Sequence, residues 1–221
     1  MKKISIAIDG PAAAGKSTIA QMVARNLDYT YIDTGAMYRC VAYYAFISGV
    51  DFHDEDKVIS LLKDIKIRML PDGSVHLNGQ EVTAAIRANE VSMGASIVSQ
   101  YAKVRSFLVA QQREMAKGGG VILDGRDIGT VVLPDAQLKI YQVASIDTRA
   151  HRRYKENIEK GIPSDLEALK KEIAERDYQD ANREVSPLKK ADDAIEIDTS
   201  DMSLEEVVAH VMDLCEERIK D

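Results

Sequence analysis

The sequence predicts a doubly wound α/β fold with a five-stranded parallel sheet. Five short runs rich in β-branched residues recur along the chain, and segments with the helical spacing of apolar residues separate them. The runs are apolar on both faces, which is typical of a parallel sheet covered by helices on both sides.

The elements follow one another in a regular order. The predicted strands cover residues 4–8, 30–32, 121–123, 138–143 and 194–197. The predicted helices cover roughly residues 17–26, 36–48, 98–116, 146–160 and 204–219. Ligands of such sheets bind at the carboxyl ends of the strands, so the residues that follow each strand are the natural place for a site.

Two segments break this rhythm. Residues 60–85 contain short apolar runs separated by Pro71-Asp72-Gly73-Ser74 and Asn78-Gly79-Gln80, which predicts a small antiparallel insert. Residues 149–184 alternate basic and acidic side chains around a break at Gly161-Ile162-Pro163, which predicts an arginine-rich lid and a following helix. We expect a single domain over 1–221, with a core of 1–34, 117–148 and 185–221 and a region of about 35–116 that holds the insert.

Composition restricts the classes of partner. The 221 residues include 45% hydrophobic and 29% charged side chains, as in globular proteins, and the formal net charge is −7. An acidic surface disfavours nucleic acid and anionic membrane as partners, and no apolar run is long enough for a spanning helix or a signal peptide. We therefore expect a cytoplasmic protein, and a monomer is the default expectation for its oligomeric state. Cys40 and Cys215 match no metal-ligand spacing, so packing as free thiols is expected.

A phosphate-binding loop follows the first predicted strand. Residues 10–17 fit the pattern G-x-x-x-x-G-K-[ST] and open a predicted helix. Glycines let successive backbone N–H groups point at a phosphate, and the helix dipole adds a positive end. The residues expected to bind ATP are Gly10, Pro11, Ala12, Ala13, Ala14, Gly15, Lys16, Ser17 and Thr18. Lys16 is expected at the β- and γ-phosphates and Ser17 at Mg²⁺.

Two clusters after later strands are candidates for an acceptor site. In residues 33–39, Thr34 is placed to cap the next helix, and Arg39 falls one turn into it, where its guanidinium can bind a monophosphate. In residues 124–129, Asp124 and Asp127 flank Arg126 immediately after an apolar strand. A turn with one ion pair is the plain alternative for the second cluster, and a surface arginine is the alternative for Arg39.

The third cluster lies in the predicted lid. It contains Arg149, His151, Arg152 and Arg153, followed by a segment from Arg176 to Arg183. Arg176, Asp180 and Arg183 have the spacing i, i+4 and i+7, which predicts one face of a helix. A solvated ion-pair face would also explain this pattern. Phosphoryl transfer between two nucleotides, however, needs cations that offset charge and exclude water.

From about residue 3 to its end, the chain resembles bacterial cytidylate kinases of the nucleoside-monophosphate kinase class. The motifs that carry the resemblance are Ile8-Asp9-Gly10-Pro11 and residues 33–39, 95–105, 124–130, 149–153 and 176–183. The insert is similar to the enlarged monophosphate-binding region of those enzymes. Thr34 stands where some relatives carry serine, and either hydroxyl can donate the same hydrogen bond.

The resemblance implies roles for the candidate residues. It implies that Arg39, Arg126 and Arg183 bind the acceptor phosphate, and that Ser96, Arg105 and Asp127 recognise the cytosine edge. Arg176 and Asp180 resemble ribose contacts, Arg152 and Arg153 resemble lid residues near the triphosphate, and Thr34 and Asp124 belong to the same substrate site. The implied catalytic set is Lys16, Arg126, Arg152, Arg153 and Arg183.

The implied reaction is transfer of the γ-phosphoryl group of ATP, with Mg²⁺, to CMP or dCMP, within pyrimidine nucleotide metabolism. A kinase for UMP or a small non-nucleotide acid would use the same loop and arginines. A GTP-dependent switch is the alternative outside kinases, but its usual Asn-Lys-x-Asp guanine motif is incomplete at Lys189-Lys190-Ala191-Asp192.

Overall fold

A computed structural model describes residues 3–70, 72–159 and 161–220. The strands within these residues are β1 (Ser5–Asp9), β2 (Thr30–Asp33), β3 (Ile67–Met69), β4 (Val75–Leu77), β5 (Gln80–Glu81), β6 (Val121–Gly125), β7 (Leu138–Val143) and β8 (Ile195–Asp198). The α-helices are α1 (Lys16–Leu27), α2 (Thr34–Ile47), α3 (Glu55–Leu61), α4 (Asn89–Val98), α5 (Ala102–Met115), α6 (Ile146–Glu159), α7 (Leu166–Asn182) and α8 (Leu204–Lys220).

A five-stranded parallel sheet is the main sheet, with the strand order β2-β6-β1-β7-β8. Strand β1 pairs with β6 from Ser5 opposite Val121 and with β7 from Ile6 opposite Leu138. The central strands are apolar on both faces because helices cover them, and Ile6, Ile8 and Ile122 have no exposed surface. The predicted fold class is confirmed.

The chain divides into two compact units. One contains Met1–Tyr29 and Gly118–Asp221, and within it α1 packs against α8 and β6. Lys139 at the edge of this core is largely buried, and its ammonium group donates to both carboxylate oxygens of Asp193 at 2.9 and 2.8 Å. This ion pair offsets the cost of burying the lysine charge within an otherwise apolar strand.

The second unit contains Thr30–Lys117. Its main helix contact is between α2 and α4, and its small sheet is antiparallel with the order β3-β4-β5. Ile67 lies opposite Leu77, so two apolar side chains share the buried face of the hairpin. The predicted antiparallel insert is confirmed, while Pro71 of its predicted first turn lies outside the described residues.

Several helix boundaries differ from the expectation. The predicted helix over residues 98–116 corresponds to α5 but begins four residues too early, because Val98 ends α4 and a turn precedes α5. In this turn the Tyr101 N–H donates to the Val98 carbonyl. Helix α3 and all but the last residue of α4 were not predicted, since α3 is only 7 residues long and Gly94 weakens the helical pattern of α4. Lys160, at the end of another predicted helix, lies outside the described residues.

Both cysteines are buried free thiols, as expected. Burial raises the pKa of Cys40 and of Cys215 to about 12, so neither thiol forms a reactive thiolate near neutral pH. None of the helices in the described ranges has the combination of length and apolar character that a bilayer crossing requires.

The connection from α5 to β6 provides a test of backbone constraint. Gly118 and Gly119 both have positive φ, at +93° and +70°, but a Cβ on Gly119 would lie 2.6 Å from the Lys3 carbonyl oxygen, whereas one on Gly118 meets open space. Both alanine variants incur the cost of positive φ, on the order of 1 to 2 kcal/mol. We expect Gly119→Ala to lower the free energy of unfolding by at least about 1 kcal/mol more than Gly118→Ala does. Urea denaturation of both variants measures this difference, and equal losses would contradict it.

Candidate active site

The loop between β1 and α1 is held in shape by its glycines. Gly10 has φ +153°, and a Cβ there would lie 2.0 Å from the backbone oxygen of Gln142, so no other residue fits against β7. Gly15 adopts the left-handed conformation as the N-cap of α1, and Ala13 also has a positive φ of 57°. These turns wind the backbone around the amino end of α1, as a phosphate-binding loop requires.

Buried side chains donate hydrogen bonds to the carbonyl groups of the loop. The Lys16 ammonium group donates to the Pro11 oxygen at 2.8 Å, and the Gln142 amide donates to the Ala14 oxygen at 2.6 Å. Lys16 and Gln142 are both buried. Because these carbonyls are satisfied by side chains, the loop can keep them turned away from an anion.

Two arginines of α6 contact the same loop. Arg149 is buried and donates to Ala12 O at 3.0 Å, to Ala144 O at 2.8 Å and to the Asp177 carboxylate at 2.6 Å. Arg152 donates to Ala14 O at 3.3 Å and to Thr199 O at 2.6 Å. Arg153 is exposed, so the structure places one of the two predicted lid arginines at the loop and leaves the other in solvent.

Lys16 lies in a buried set of opposite charges. Burial and the nearby Arg126 lower its pKa to about 7, while Asp124, Asp9 and Asp180 act in the opposite direction. An anion next to this lysine would stabilise its ammonium form, so a bound phosphate would keep the side chain charged. The electrostatics of the loop thus favour a polyanionic ligand.

Ser17 and Asp124 place two oxygen atoms side by side. The Ser17 hydroxyl donates to Asp124 Oδ2 at 2.6 Å, and Asp124 is 5% exposed at the carboxyl end of β6. Hydroxyl and carboxylate oxygens are ligands that Mg²⁺ accepts, and this ion commonly takes one or two protein ligands and completes its shell with phosphates and water. The described residues contain no cluster of three or more His, Cys, Asp or Glu that would hold a metal alone. The donor set therefore fits a nucleotide-bound Mg²⁺ rather than a structural metal.

Arg126 pairs with a distant carboxylate rather than with the aspartates beside it in sequence. Its Nε donates to Asp180 Oδ2 at 2.7 Å, which joins the end of β6 to α7. Burial would raise the pKa of Asp180, but Arg126, together with Arg176 and Arg183, outweighs that effect and holds the pKa below its ordinary value. The ion pair of this arginine is therefore with α7 and not within its own turn.

Arg183 and Asp127 form a second pair, at 3.6 Å. The side chains of both are largely buried. The expectation that Arg176, Asp180 and Arg183 lie on one helix face is wrong for the last of them. Helix α7 ends at Asn182, and Arg183 has the extended φ and ψ of −63° and 142° at its C-cap. This residue reaches Asp127 from the turn that follows the helix.

The second unit contains its own polar cluster. Asp33 is the N-cap of α2, since its carboxylate accepts from Ala36 N–H at 2.8 Å, and it also pairs with Arg39 at 2.8 Å. The expectation that Thr34 caps this helix is therefore wrong, because Thr34 is its first helical residue. Both residue types are good helix caps, but an aspartate at this position has a second role, because its carboxylate also neutralises Arg39.

Arg105 lies buried at the start of α5. Its guanidinium donates to the Ser99 carbonyl at 3.1 Å and lies 5.4 Å from the centroid of the Tyr38 ring, within the range of a cation–π contact. Ser96 is half-buried on α4, and its described polar contact is through its carbonyl, which accepts from the Ser99 hydroxyl at 2.9 Å.

Four residues of the first unit have contacts to the site that sequence reasoning did not assign. They are Asp9, Gln142, Arg149 and Asp177. Arg149 and Asp177 stood in segments singled out for their charge, and Asp9 stood in a motif that enters the loop. Gln142 lies inside a predicted strand, and a polar side chain, like that of Lys139, in an otherwise apolar run was the available signal for it.

Comparison with known proteins identifies the family. The sequence model of the protein family described as "Cytidylate kinase" matches residues 6–217. A protein named cytidylate kinase from Geobacillus kaustophilus (strain HTA426) is 54% identical over 221 residues, covering 99% of each chain. Another of that name from Streptococcus agalactiae serotype V is 56% identical and covers 99% of this chain and 98% of its own.

Solved structures are similar in fold. An uncharacterized protein from Eubacterium ventriosum has a TM-score of 0.53 at 12% identity, and the match covers 98% of this chain and 99% of that one. This likeness is one of architecture alone. The loop, the buried charge pairs and the relatives over nearly the full length lead to one conclusion: the chain belongs to the cytidylate kinase family and is a nucleoside-monophosphate kinase.

Proposed function

We propose that the protein transfers the γ-phosphoryl group of ATP to CMP or dCMP, giving ADP and CDP or dCDP, in pyrimidine nucleotide metabolism. The observation that carries this proposal is the buried Lys16, which lies in the phosphate loop and among the charges of Arg126, Asp124 and Asp180. A monophosphate oxygen of the acceptor would form the new bond to the γ-phosphorus, while the bond from that phosphorus to the β,γ-bridging oxygen breaks. The acceptor is already anionic, so no general base is required.

The donor site in this proposal is the loop from Gly10 to Thr18. Its N–H groups and Lys16 would bind the phosphates of ATP, and Arg152 would stabilise charge on the transferred group. Ser17 and Asp124 would hold Mg²⁺, which neutralises phosphate charge when it is bound. The hydrogen bond between the two side chains at 2.6 Å supports this assignment, because it brings both oxygens to one point. Arg153, which is exposed, would act only if the lid of 149–184 closes.

The acceptor assignments remain those that the family resemblance implies. Arg39, Arg126 and Arg183 would bind the monophosphate, Thr34 and Asp124 would line the same substrate site, and Arg176 and Asp180 would contact the ribose. Ser96, Arg105 and Asp127 would recognise cytosine, which offers an amino donor next to acceptor atoms. Each arginine of the phosphate set already contacts a carboxylate at 2.7 to 3.6 Å, which supports the assignment because such pairs hold a cation ready for a second anion.

The same proposal includes a single kinase domain, with the monophosphate-binding region at 35–116, that works as a monomer in the cytoplasm and has no nucleic-acid or membrane partner. The net charge of −7 supports the exclusion of nucleic acid, since anionic ligands are then bound only at local basic sites.

The acceptor is tested by a coupled assay of ADP formation from ATP and Mg²⁺ with CMP, UMP, AMP, GMP and TMP supplied separately. We expect a strong preference for CMP, because the base-recognition residues proposed above match the cytosine edge. Broad activity would retain the kinase and reject the cytosine assignment of Ser96, Arg105 and Asp127. Absence of turnover on every acceptor would reject the proposed function and favour a nucleotide-dependent switch.

Lys16→Ala tests the catalytic charge. We expect kcat/KM to fall on the order of a thousandfold or more, because the variant removes a cation from the transferred phosphoryl group. Lys220→Ala on α8 is the control, since Lys220 is an exposed lysine outside the proposed site and the lid and should leave the rate unchanged. Steady-state kinetics with a thermal unfolding curve for each variant separate loss of activity from loss of fold. Near-normal turnover in a folded Lys16→Ala protein would disprove the role.

The pH dependence of nucleotide binding follows from the pKa of Lys16, which is about 7 in the free protein. A bound triphosphate favours the ammonium form and raises this pKa, so binding at pH 8 should take up about one proton, and binding at pH 6 close to none. Calorimetry of a non-hydrolysable ATP analogue in buffers of different ionisation enthalpy measures the uptake. Lys16→Arg is the matched variant, since arginine stays charged at both pH values and should abolish the uptake at pH 8. The same uptake in both proteins would assign the proton to another group.

A further inference from the structure

Asp9 is a buried carboxylate at the carboxyl end of β1, immediately before the phosphate loop, and it is 5% exposed. Both of its oxygens accept hydrogen bonds from the turn that follows β6. Oδ1 accepts from the Ile128 N–H at 2.8 Å and Oδ2 accepts from the Gly129 N–H at 2.7 Å. One side chain thus satisfies two successive backbone groups that are 119 and 120 residues away in sequence.

The segment that Asp9 contacts is a π-helical turn over Ile128–Val132. The Val132 N–H bonds to the Asp127 carbonyl at 3.1 Å, and the Leu133 N–H bonds to that of Ile128 at 2.7 Å. The first N–H groups of any helix lack partners within the helix. Single π-turns are uncommon, and Asp9 supplies an acceptor for the first two N–H groups of this one.

Asp127 is the residue from which this turn starts. It has the unusual φ and ψ of −145° and 27° as the N-cap, and its carboxylate faces Arg183 at 3.6 Å. Arg126, one residue earlier, pairs with Asp180. Both side chains belong to the two residues that lead into the π-helical turn, and Asp9 accepts hydrogen bonds from the first two N–H groups of that turn.

The fit around the turn leaves little freedom. A Cβ on Gly129 would lie 3.1 Å from Cδ of Lys139 and 3.4 Å from Oδ2 of Asp9, so the backbone approaches the carboxylate closely. Keeping Asp9 ionised in this buried position costs free energy. Burial raises its pKa to about 6, even though the two backbone N–H groups and Lys16 lower it. Asp127 adds to the cost by raising the same pKa.

We propose that Asp9 is a positioning residue for the acceptor nucleotide. Through its two hydrogen bonds to the π-helical turn, Asp9 fixes the orientation of the Arg126 and Asp127 side chains, which contact that nucleotide. This inference rests on the proposed function and assigns a task to a residue that need not touch either substrate. It also means that the strand leading into the donor loop orients the residues that recognise the acceptor.

The test is Asp9→Asn, which keeps the shape of the side chain but places an N–H₂ group against one of the two backbone N–H groups. We expect the KM for CMP to rise about ten- to a hundredfold and the preference for CMP over UMP to shrink, because one charged hydrogen bond becomes a repulsive contact. The KM for ATP should rise much less than the KM for CMP, since both carboxylate oxygens bond to the π-helical turn and Asp9 acts on Lys16 of the loop only through its charge. Steady-state kinetics with both substrates varied give the two constants.

Asp198→Asn is the matched control. Asp198 also ends a strand and accepts from a nearby backbone N–H, that of Ser200 at 2.9 Å, but it lies outside the proposed site. This variant should leave both KM values unchanged. Amide hydrogen exchange at Ile128 and Gly129 gives a reading besides activity, and we expect faster exchange at these two amides in Asp9→Asn only.

The outcomes separate the inference from the function on which it rests. Wild-type protein that does not phosphorylate CMP refutes the proposed function. Wild-type activity together with equal increases in both KM values, or with no increase in either, refutes positioning alone. If Asp9→Asn does not fold, Asp9→Glu is measured in the same way, because it keeps the charge but moves the carboxylate by one methylene. Failure of both variants to fold would make the contact purely structural and overturn the inference.

Discussion

The loop between β1 and α1 must keep its N–H groups facing inward and its carbonyl groups facing out, and the rest of the first unit is arranged around this constraint. Gly10 touches the backbone of Gln142, and the Gln142 amide bonds to Ala14. Lys16, Arg149 and Arg152 supply the other donors to loop carbonyls. Without them, buried carbonyls would be left unpaired, and a flipped peptide would satisfy them at the expense of the phosphate site.

The buried ion pairs of this unit add little to the stability of the fold, but they hold charged side chains in place for a ligand. Arg126 with Asp180 and Arg149 with Asp177 are pairs whose desolvation offsets much of their attraction. Apolar residues of the same size would pack at a lower cost. The pairs do hold guanidinium groups in fixed directions before any ligand arrives, which lowers the reorganisation needed when negative charge is transferred.

The sequence was sufficient for features that have a local signal. Strand periodicity and the spacing from Gly10 to Ser17 predicted the sheet and the loop, because each depends on residues that are neighbours in the chain. The cap of α2 was misassigned because Asp33 and Thr34 are both good capping residues, and the contact with Arg39 that favours aspartate appears only in three dimensions. The contacts of Gln142, Asp9 and Asp177 could not be predicted from local patterns, since the partners of Gln142 and Asp9 are more than 100 residues away and Asp177 resembles any charge on a helix face.

The long sequence separation of the contacts that shape the loop has a consequence for how the protein is made. The bonds to Ala12 and Ala14 come from residues 137 and 128 positions later in the chain. Contacts of this kind form late in folding, because a long loop must be closed before they contribute. During synthesis the motif leaves the ribosome well before its donors exist. The nascent chain therefore carries the complete glycine-rich signature without the ability to hold a nucleotide, and affinity for ligand arises only once β7 and α6 have docked.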